Sequence, residues 1–392
     1  MSFLRAARAA LADQHGVQRK SHLIFGTLAL LLAGFLPSCG GSSHPSTTPS
    51  HNAYVSLPGK GSVALVHIDG ATGGLSLAAE TPQVEGTSPK GLALLPSKKF
   101  LYAVNSASAT ISIFSVASDG TLTLSATPTP EGGSGADAAV IDPSGKYLLV
   151  TNNISNGVSV FSIDSGSGAL SQVAGSPFYA NSDPSEILIT PSGKFVYVTN
   201  PGTGMVTGFT FSNGVLNTVP NTPTLSGAGA IGLAVDSSER FLYVANASAL
   251  NSVVPTVGNI SAFNIDSNTG ALTPIIGSPF TVSQGNGPTA ITVDPSGRFV
   301  YAVTSGTSYS IWGFAITATN GQLTPLTNSP FSQTAGGLFA LIDPSGNHLY
   351  VGSAASNGVA GFTYDPSTGT PTAIAGSPFS TGSPPGKMVL SE

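Results

Sequence analysis

The chain has 392 residues, of which only 8% are charged and 41% hydrophobic, with 48 glycines and 29 prolines. Disordered chains pair low hydrophobicity with high charge, so this composition excludes disorder and suits short strands joined by tight turns. The four basic residues and one aspartate before Cys39 leave the rest at −8, against −5 overall, which argues against a nucleic-acid partner, whose binding rests on neutralising phosphates.

The first element is read as a signal rather than part of a fold. Arg5, Arg8, Arg19 and Lys20 precede the apolar run "LIFGTLALLLAGFL" (23–36), which stops at "LPSC" with Cys39, the only cysteine. Fourteen residues are too few to span a bilayer, which takes about 20. A basic segment, a short apolar stretch and small residues make an export signal. Its stop at a cysteine resembles the bacterial lipobox, in which that residue is lipidated and becomes the mature N-terminus. A plain cleaved secretory signal, or a start further downstream, is the alternative. Residues 1–39 are thus the expected signal, Cys39 the expected lipid anchor to a membrane of the cell envelope, and "GGSSHPSTTPSH" (40–51) a flexible tether.

From residue 52 one phrase recurs: "IDPSGKYLLVTN" (141–152), "ITPSGKFVYVTN" (189–200), "VDSSERFLYVAN" (235–246), "VDPSGRFVYAVT" (293–304) and "IDPSGNHLYVGS" (342–353). It alternates with period two, as strands do. Around residues 139–163, "AVI" predicts a first strand, "DPSG" a turn, "KYLLVT" a second strand, "NNISNG" a loop and "VSVFSI" a third. The turn follows from its residues: Asp142 accepts from the backbone, Pro143 pre-sets φ, and Gly145 suits the fourth position. A fourth strand follows at "ALSQV", and "GSPF" leads into a long loop, its phenylalanine (Phe178, Phe280, Phe331, Phe379) an anchor. Four antiparallel strands per unit make a propeller blade.

The second-strand tyrosine is expected at Tyr54, Tyr102, Tyr147, Tyr197, Tyr243, Tyr301 and Tyr350, which predicts an all-β, seven-bladed propeller over residues 52–392. The widest spacing holds an insertion, "SALNSVVPTVGN" (248–259). Tandem immunoglobulin-like domains would need about 100 residues per unit. No first strand precedes Tyr54, and "KMVLSE" (387–392) supplies it from the C-terminus, closing the ring so that no sheet edge is left open. A monomer is expected.

The "VYVTN", "YVAN" and "YAVN" phrases resemble the YVTN-repeat propellers. "DPSGKFVYVTN", "VSVFSID" and "TGAL" together are similar to the lactonase-type seven-bladed family, relatives of 6-phosphogluconolactonase. That resemblance implies lactone hydrolysis and a site of His, Arg and Glu around the channel mouth.

The residues just before each first strand are Gly386-Lys387, Lys90-Gly91, Asp137-Ala138, Ser185-Glu186, Ile231-Gly232, Thr289-Ala290 and Leu338-Phe339. Lys387, Lys90, Asp137 and Glu186, with Asp183 near, would form one polar side of a pocket. Ile231, Leu338 and Phe339 would form an apolar wall, a mix typical of small-ligand sites. Asn105, Asn152, Asn153, Asn200 and Asn246, at second-strand ends, would add hydrogen bonds. The alternative is structural: Lys90–Asp137 and Lys387–Glu186 as ion pairs bracing blades, and the asparagines as turn caps. As an enzyme, the chain offers Glu186 as base with Lys90 or Lys387 as electrostatic partner, but no His or Arg stands in any mouth loop.

Other chemistries find no purchase. There is no G-x-S-x-G elbow, no Cys/His zinc set and no EF-hand spacing, and "GGSGAD" (132–137) precedes no helix. No metal or cofactor is expected. Asp142, Asp294 and Asp343 recur with the turn and are read as turn formers, and Trp312 as packing between blades. Two functions remain: an envelope-anchored module binding a small molecule, glycan or protein, and a sugar-lactone hydrolase.

Overall fold

The computed structural model describes residues 50–82, 87–125, 128–247, 258–282, 287–305, 309–332 and 336–391. The export signal, Cys39, nearly all of the tether and most of the 248–259 insertion lie outside the described residues.

Blade 3 shows the unit: Ala136–Ile141, Tyr147–Asn152, Gly157–Ile163 and Leu170–Gln172 pair in chain order, each antiparallel to the last. Blade 2 begins at Pro89, blade 4 at Ile187, blade 5 at Ala230, blade 6 at Pro288 and blade 7 at Gly337. Blade 1 takes its innermost strand, Met388–Ser391, from the C-terminus, paired to His51–Leu57 through Val55↔Met388 and Tyr54↔Val389. These seven sheets, each built on a path of four antiparallel strands, confirm the expected propeller and its closure. From blade 1 to blade 7, the first strands of successive blades lie against one another.

The turn is built as its residues dictate. Gly145 N–H donates to the carbonyl of Asp142 at 2.8 Å, and Asp142 Oδ1 accepts the N–H groups of Lys146 (2.8 Å) and Tyr147 (2.6 Å). Asp236, Asp294 and Asp343 do the same in blades 5, 6 and 7. A recurring carboxylate with its acceptors filled this way is a turn former.

Two expectations need correction. The "SPF" segments do not simply lead into a loop: Phe178–Tyr179 forms a short extra strand beside the third strand of blade 3, and blades 2 and 4–7 each carry its counterpart. The serine of the phrase accepts a third-strand N–H, as in Val160 to Ser176 (2.8 Å) and Ala262 to Ser278 (2.9 Å), so an edge donor is satisfied. The second correction concerns Tyr147. Six of the expected tyrosines are fully buried at one equivalent position, but in blade 3 that position belongs to Leu149. Tyr147 stands two residues earlier, where blade 4 has Phe195, and meets Phe211 edge-on at 5.6 Å.

Those six tyrosines join the blades. Each hydroxyl donates to a glycine carbonyl at the third-to-fourth-strand turn of the next blade: Tyr54 to Gly120, Tyr102 to Gly168, Tyr197 to Gly270, Tyr243 to Gly321, Tyr301 to Gly369, and Tyr350 back to Gly73. The last bond crosses the closing seam. Gly270 sits at φ 76°, and a Cβ there would come within 2.4 Å of the Phe195 ring, so that turn requires glycine. Trp312 packs with Phe280 of blade 5 on the cluster shared by blades 5 and 6.

Candidate functional site at the channel mouth

The innermost strands carry an irregularity where the candidate residues lie. Register shifts between Pro89 and Gly91, Ala230 and Gly232, Pro288 and Ala290, and Gly337 and Ala340. Blade 3 shifts likewise across Asp137. The extra residue of a bulge is released from the ladder and its side chain re-aimed. Lys90, Asp137, Ile231, Thr289 and Leu338 occupy these bulges. In blades 1, 3 and 4 a second-strand hydroxyl holds the same feature: Ser56, Thr151 and Thr199 accept the N–H of Lys387 (2.8 Å), Ala138 (3.0 Å) and Glu186 (3.0 Å).

The four charged candidates are brought together as ion pairs. Lys387 Nζ donates to both carboxylate oxygens of Glu186 at 2.8 Å. Blades 1 and 4 are not neighbours in the ring, so this pair spans the channel. Lys90 Nζ pairs with Asp137 Oδ1, and Ser185 Oγ donates to Asp137 Oδ2 at 2.7 Å. Side-chain exposure is 34% for Lys387, 29% for Glu186, 48% for Lys90 and 16% for Asp137. Water and small solutes therefore reach both pairs, and the structural alternative for these four residues describes their geometry.

The remaining candidates separate. Asp183 lies at φ 56° in the loop before Glu186, its N–H bonded to Asn156 Oδ1 at 2.9 Å; no ion pair links it to the lysines among the described residues. Asn152 and Asn200 are fully buried. Asn152 Nδ2 donates to Ser159 Oγ (2.8 Å), and Asn200 Nδ2 to the carbonyls of Ala180 (2.8 Å) and Ser182 (3.0 Å). Both amides are thus engaged by groups close to their own strand ends. Phe339 leaves the apolar wall: it is 4% exposed and packs over Gly352, where a Cβ would meet its ring at 2.2 Å. Leu338, 42% exposed, and half-buried Ile231 remain near the axis. A groove of about 200 Å³ lies elsewhere, lined by Val66, Leu75 and Leu77 of blade 1 and by Val359, Phe379 and Ser380 of blade 7.

Sequence reasoning missed Glu131. It opens the loop into blade 3, at a position whose counterparts Ala180, Ser226, Val282 and Thr381 make the same backbone bond to the preceding second-to-third-strand loop. Glu131 is fully buried; Oε2 accepts the N–H of Ala136 at 3.2 Å while Oε1 has no partner. Burial pushes its carboxyl up to about 7, against the opposing backbone N–H groups of Ala136 and Gly135. Comparing loops blade by blade would have exposed the lone carboxylate.

No metal-binding group of three or more His, Cys, Asp or Glu occurs among the described residues. With the site in view, comparison with known proteins is informative. The sequence matches the family described as "Lactonase, 7-bladed beta-propeller" over residues 46–137, 130–280 and 257–385. Similar solved structures include a candidate 6-phosphogluconolactonase from Bacteroides fragilis NCTC 9343, with TM-score 0.74 and 22% identity over 89% of this chain and 100% of that one. Another is the periplasmic gluconolactonase of Pseudomonas aeruginosa, with TM-score 0.72 and 18% identity over 88% and 99% of the two chains. At such identity the likeness is one of fold. No curated protein matches. The family match spans nearly every described blade, and the chain belongs to the lactonase, seven-bladed β-propeller family.

Proposed function

We propose that this protein is an exported, lipid-anchored propeller that binds a polar small molecule or glycan at the channel mouth. The supporting observation is the paired state of the charges. Glu186, the best placed carboxylate, is engaged at both oxygens by Lys387, so it is not poised as a free base. Partly exposed ion pairs of this kind contribute little to stability, about 0–1 kcal/mol, and exchange readily for the donors and acceptors of a polar guest. The envelope location rests on the basic segment, the short apolar run and Cys39. A panel of cell-envelope glycans and small polar metabolites tests the reading by calorimetry. Wild type should bind one class with an affinity that falls at least about tenfold in Lys387→Met. Absence of any binding, or binding indifferent to that change, sinks it.

The family match favours a second reading, lactone hydrolysis. Release from Lys387 would free Glu186 to take a proton from water. The water oxygen would attack the lactone carbonyl, the ring C–O bond would break, and the departing alkoxide would recover the proton, with Lys387 or Lys90 holding the developing oxyanion. Glu186→Gln should then abolish turnover of gluconolactones while the thermal midpoint stays put. Wild type hydrolysing no faster than buffer removes this reading.

A further inference from the structure

The loop that opens with Glu131 and runs to Gly135 lies over the end of the second strand of blade 3. A Cβ on Gly133 would sit 2.6 Å from Asn152 Cγ, and one on Gly132 3.1 Å from Ser159 Oγ, the acceptor of Asn152 Nδ2. Glu131 Oε2 receives the N–H of Ala136, which stands directly opposite Asn152 in the ladder. Carboxyl and amide are thus buried beneath one short loop. Each keeps a buried oxygen without a donor, Glu131 Oε1 and Asn152 Oδ1. Two buried acceptors facing no donor are costly, and a proton shared between them removes the cost.

We propose that Glu131 is a neutral carboxylic acid whose proton is donated to Asn152 Oδ1, making this loop a proton-dependent latch that positions the bulge carrying Asp137. Among the described residues, the side chains nearest the loop glycines bring no charge. They include Asn152, Asn153, Ser155, Ser159 and Gln172, none of which ionises. Asp137, the other ionisable residue of the segment, is engaged by Lys90 and Ser185. Burial without a cation accounts for the raised carboxyl, about 7, and places the change near neutrality. Loss of the proton leaves a buried anion facing an amide oxygen. The loop then lifts, and the Ala136 N–H, next in chain to Asp137, loses its acceptor. Glu131 is in this sense a positioning residue for the mouth, whichever ligand or reaction the mouth serves.

Two measurements on the purified protein test the latch. Carbon-13 detection of glutamate carboxyls should show one group titrating near neutrality that is missing from Glu131→Gln. Amide exchange at Ala136 and Asp137 should accelerate above neutral pH beyond the intrinsic base-catalysed rise in wild type. The glutamine variant, whose amide donates at every pH, should follow the intrinsic slope. A Glu131 carboxyl titrating in the ordinary carboxylate range overturns the proposal, and so does exchange with the same pH dependence in both proteins. Should the variant fail to fold, the carboxyl titration of wild type, assigned through the exchange profile of Ala136, decides alone.

Discussion

Replacing Tyr243 by phenylalanine would remove one oxygen and leave the Gly321 carbonyl without its donor inside the seam between blades 5 and 6. A buried acceptor stripped of its partner costs about 1–3 kcal/mol, and urea unfolding should register a loss of that size. Tyr147→Phe makes the control. That phenol is half-buried and makes no hydrogen bond among the described residues, so the change should stay within about 0.5 kcal/mol. Equal losses in the two variants would show that the tyrosines act through packing alone. The pair also explains a misreading. In "GKYLLVTN" and "GKFVYVTN" an aromatic occurs in either of two positions on one face of the strand. Only the position that meets a neighbouring glycine carbonyl has a reason to be tyrosine.

At the scale of the element, the final strand is the sharpest test. Met388 is buried in a cluster with Val55 and Tyr350, and Ser56 and Lys387 exchange bonds at 2.8 and 2.9 Å. Removing residues 387–392 exposes the inner edge of blade 1 and should abolish cooperative thermal unfolding followed by circular dichroism. A truncated chain melting as the intact one does would mean that the ring closes elsewhere. Strands and turns were legible because their signals are local: period-two alternation, and Asp142 with Gly145 in the turn. The short "SPF" strands were not, because two paired residues leave no periodicity to read. The site was half legible. Spacing put Lys90, Asp137, Glu186 and Lys387 at one end of the ring. Whether each faces the channel, its neighbour or the interior depends on bulge geometry and cross-ring distances, which no local pattern encodes. Asn152 and Phe339 turned inward for that reason, and Glu131 went unseen because burial is a property of the packed loop.

For the molecule as a whole, acid and neutral limits of stability have different owners. Hydrogen bonds from the hydroxyl and backbone N–H groups of their own turns hold Asp69, Asp164 and Asp266 below the ordinary aspartate value. In Asp343, burial is outweighed by bonds from His348, Asn347 and Ser345, with the same net direction. Carboxyls lowered on folding stabilise above their unfolded value and release that stability as pH falls through the folded one. Glu131 works in the opposite sense. Its proton is held more tightly when folded, so its contribution is complete below about 4.5 and lost as pH rises to about 7. The thermal midpoint should accordingly be highest in mildly acidic solution and fall on either side. In Glu131→Gln the fall toward neutrality should disappear while the acid limb is unchanged. A wild-type profile flat from about pH 5 to about pH 8 would contradict the assignment.

Blades 3 and 4 meet where Leu149 replaces the tyrosine, so the phenol rivet found at the six other joints is missing there. An apolar cluster and two polar bonds fasten that joint: Thr151 Oγ1 to the Ser185 carbonyl, which has counterparts at other joints, and Ser185 Oγ to Asp137, both at 2.7 Å. The same aspartate also pairs with Lys90 among the candidate mouth residues. Under the proposed binding role, a guest that drew the serine or the aspartate toward itself would loosen the joint as it settled, and tightening the joint would withhold the groups the guest needs. Occupancy and hoop tension would then be traded through two bonds, and the entrance would breathe most at the place where it is chemically richest.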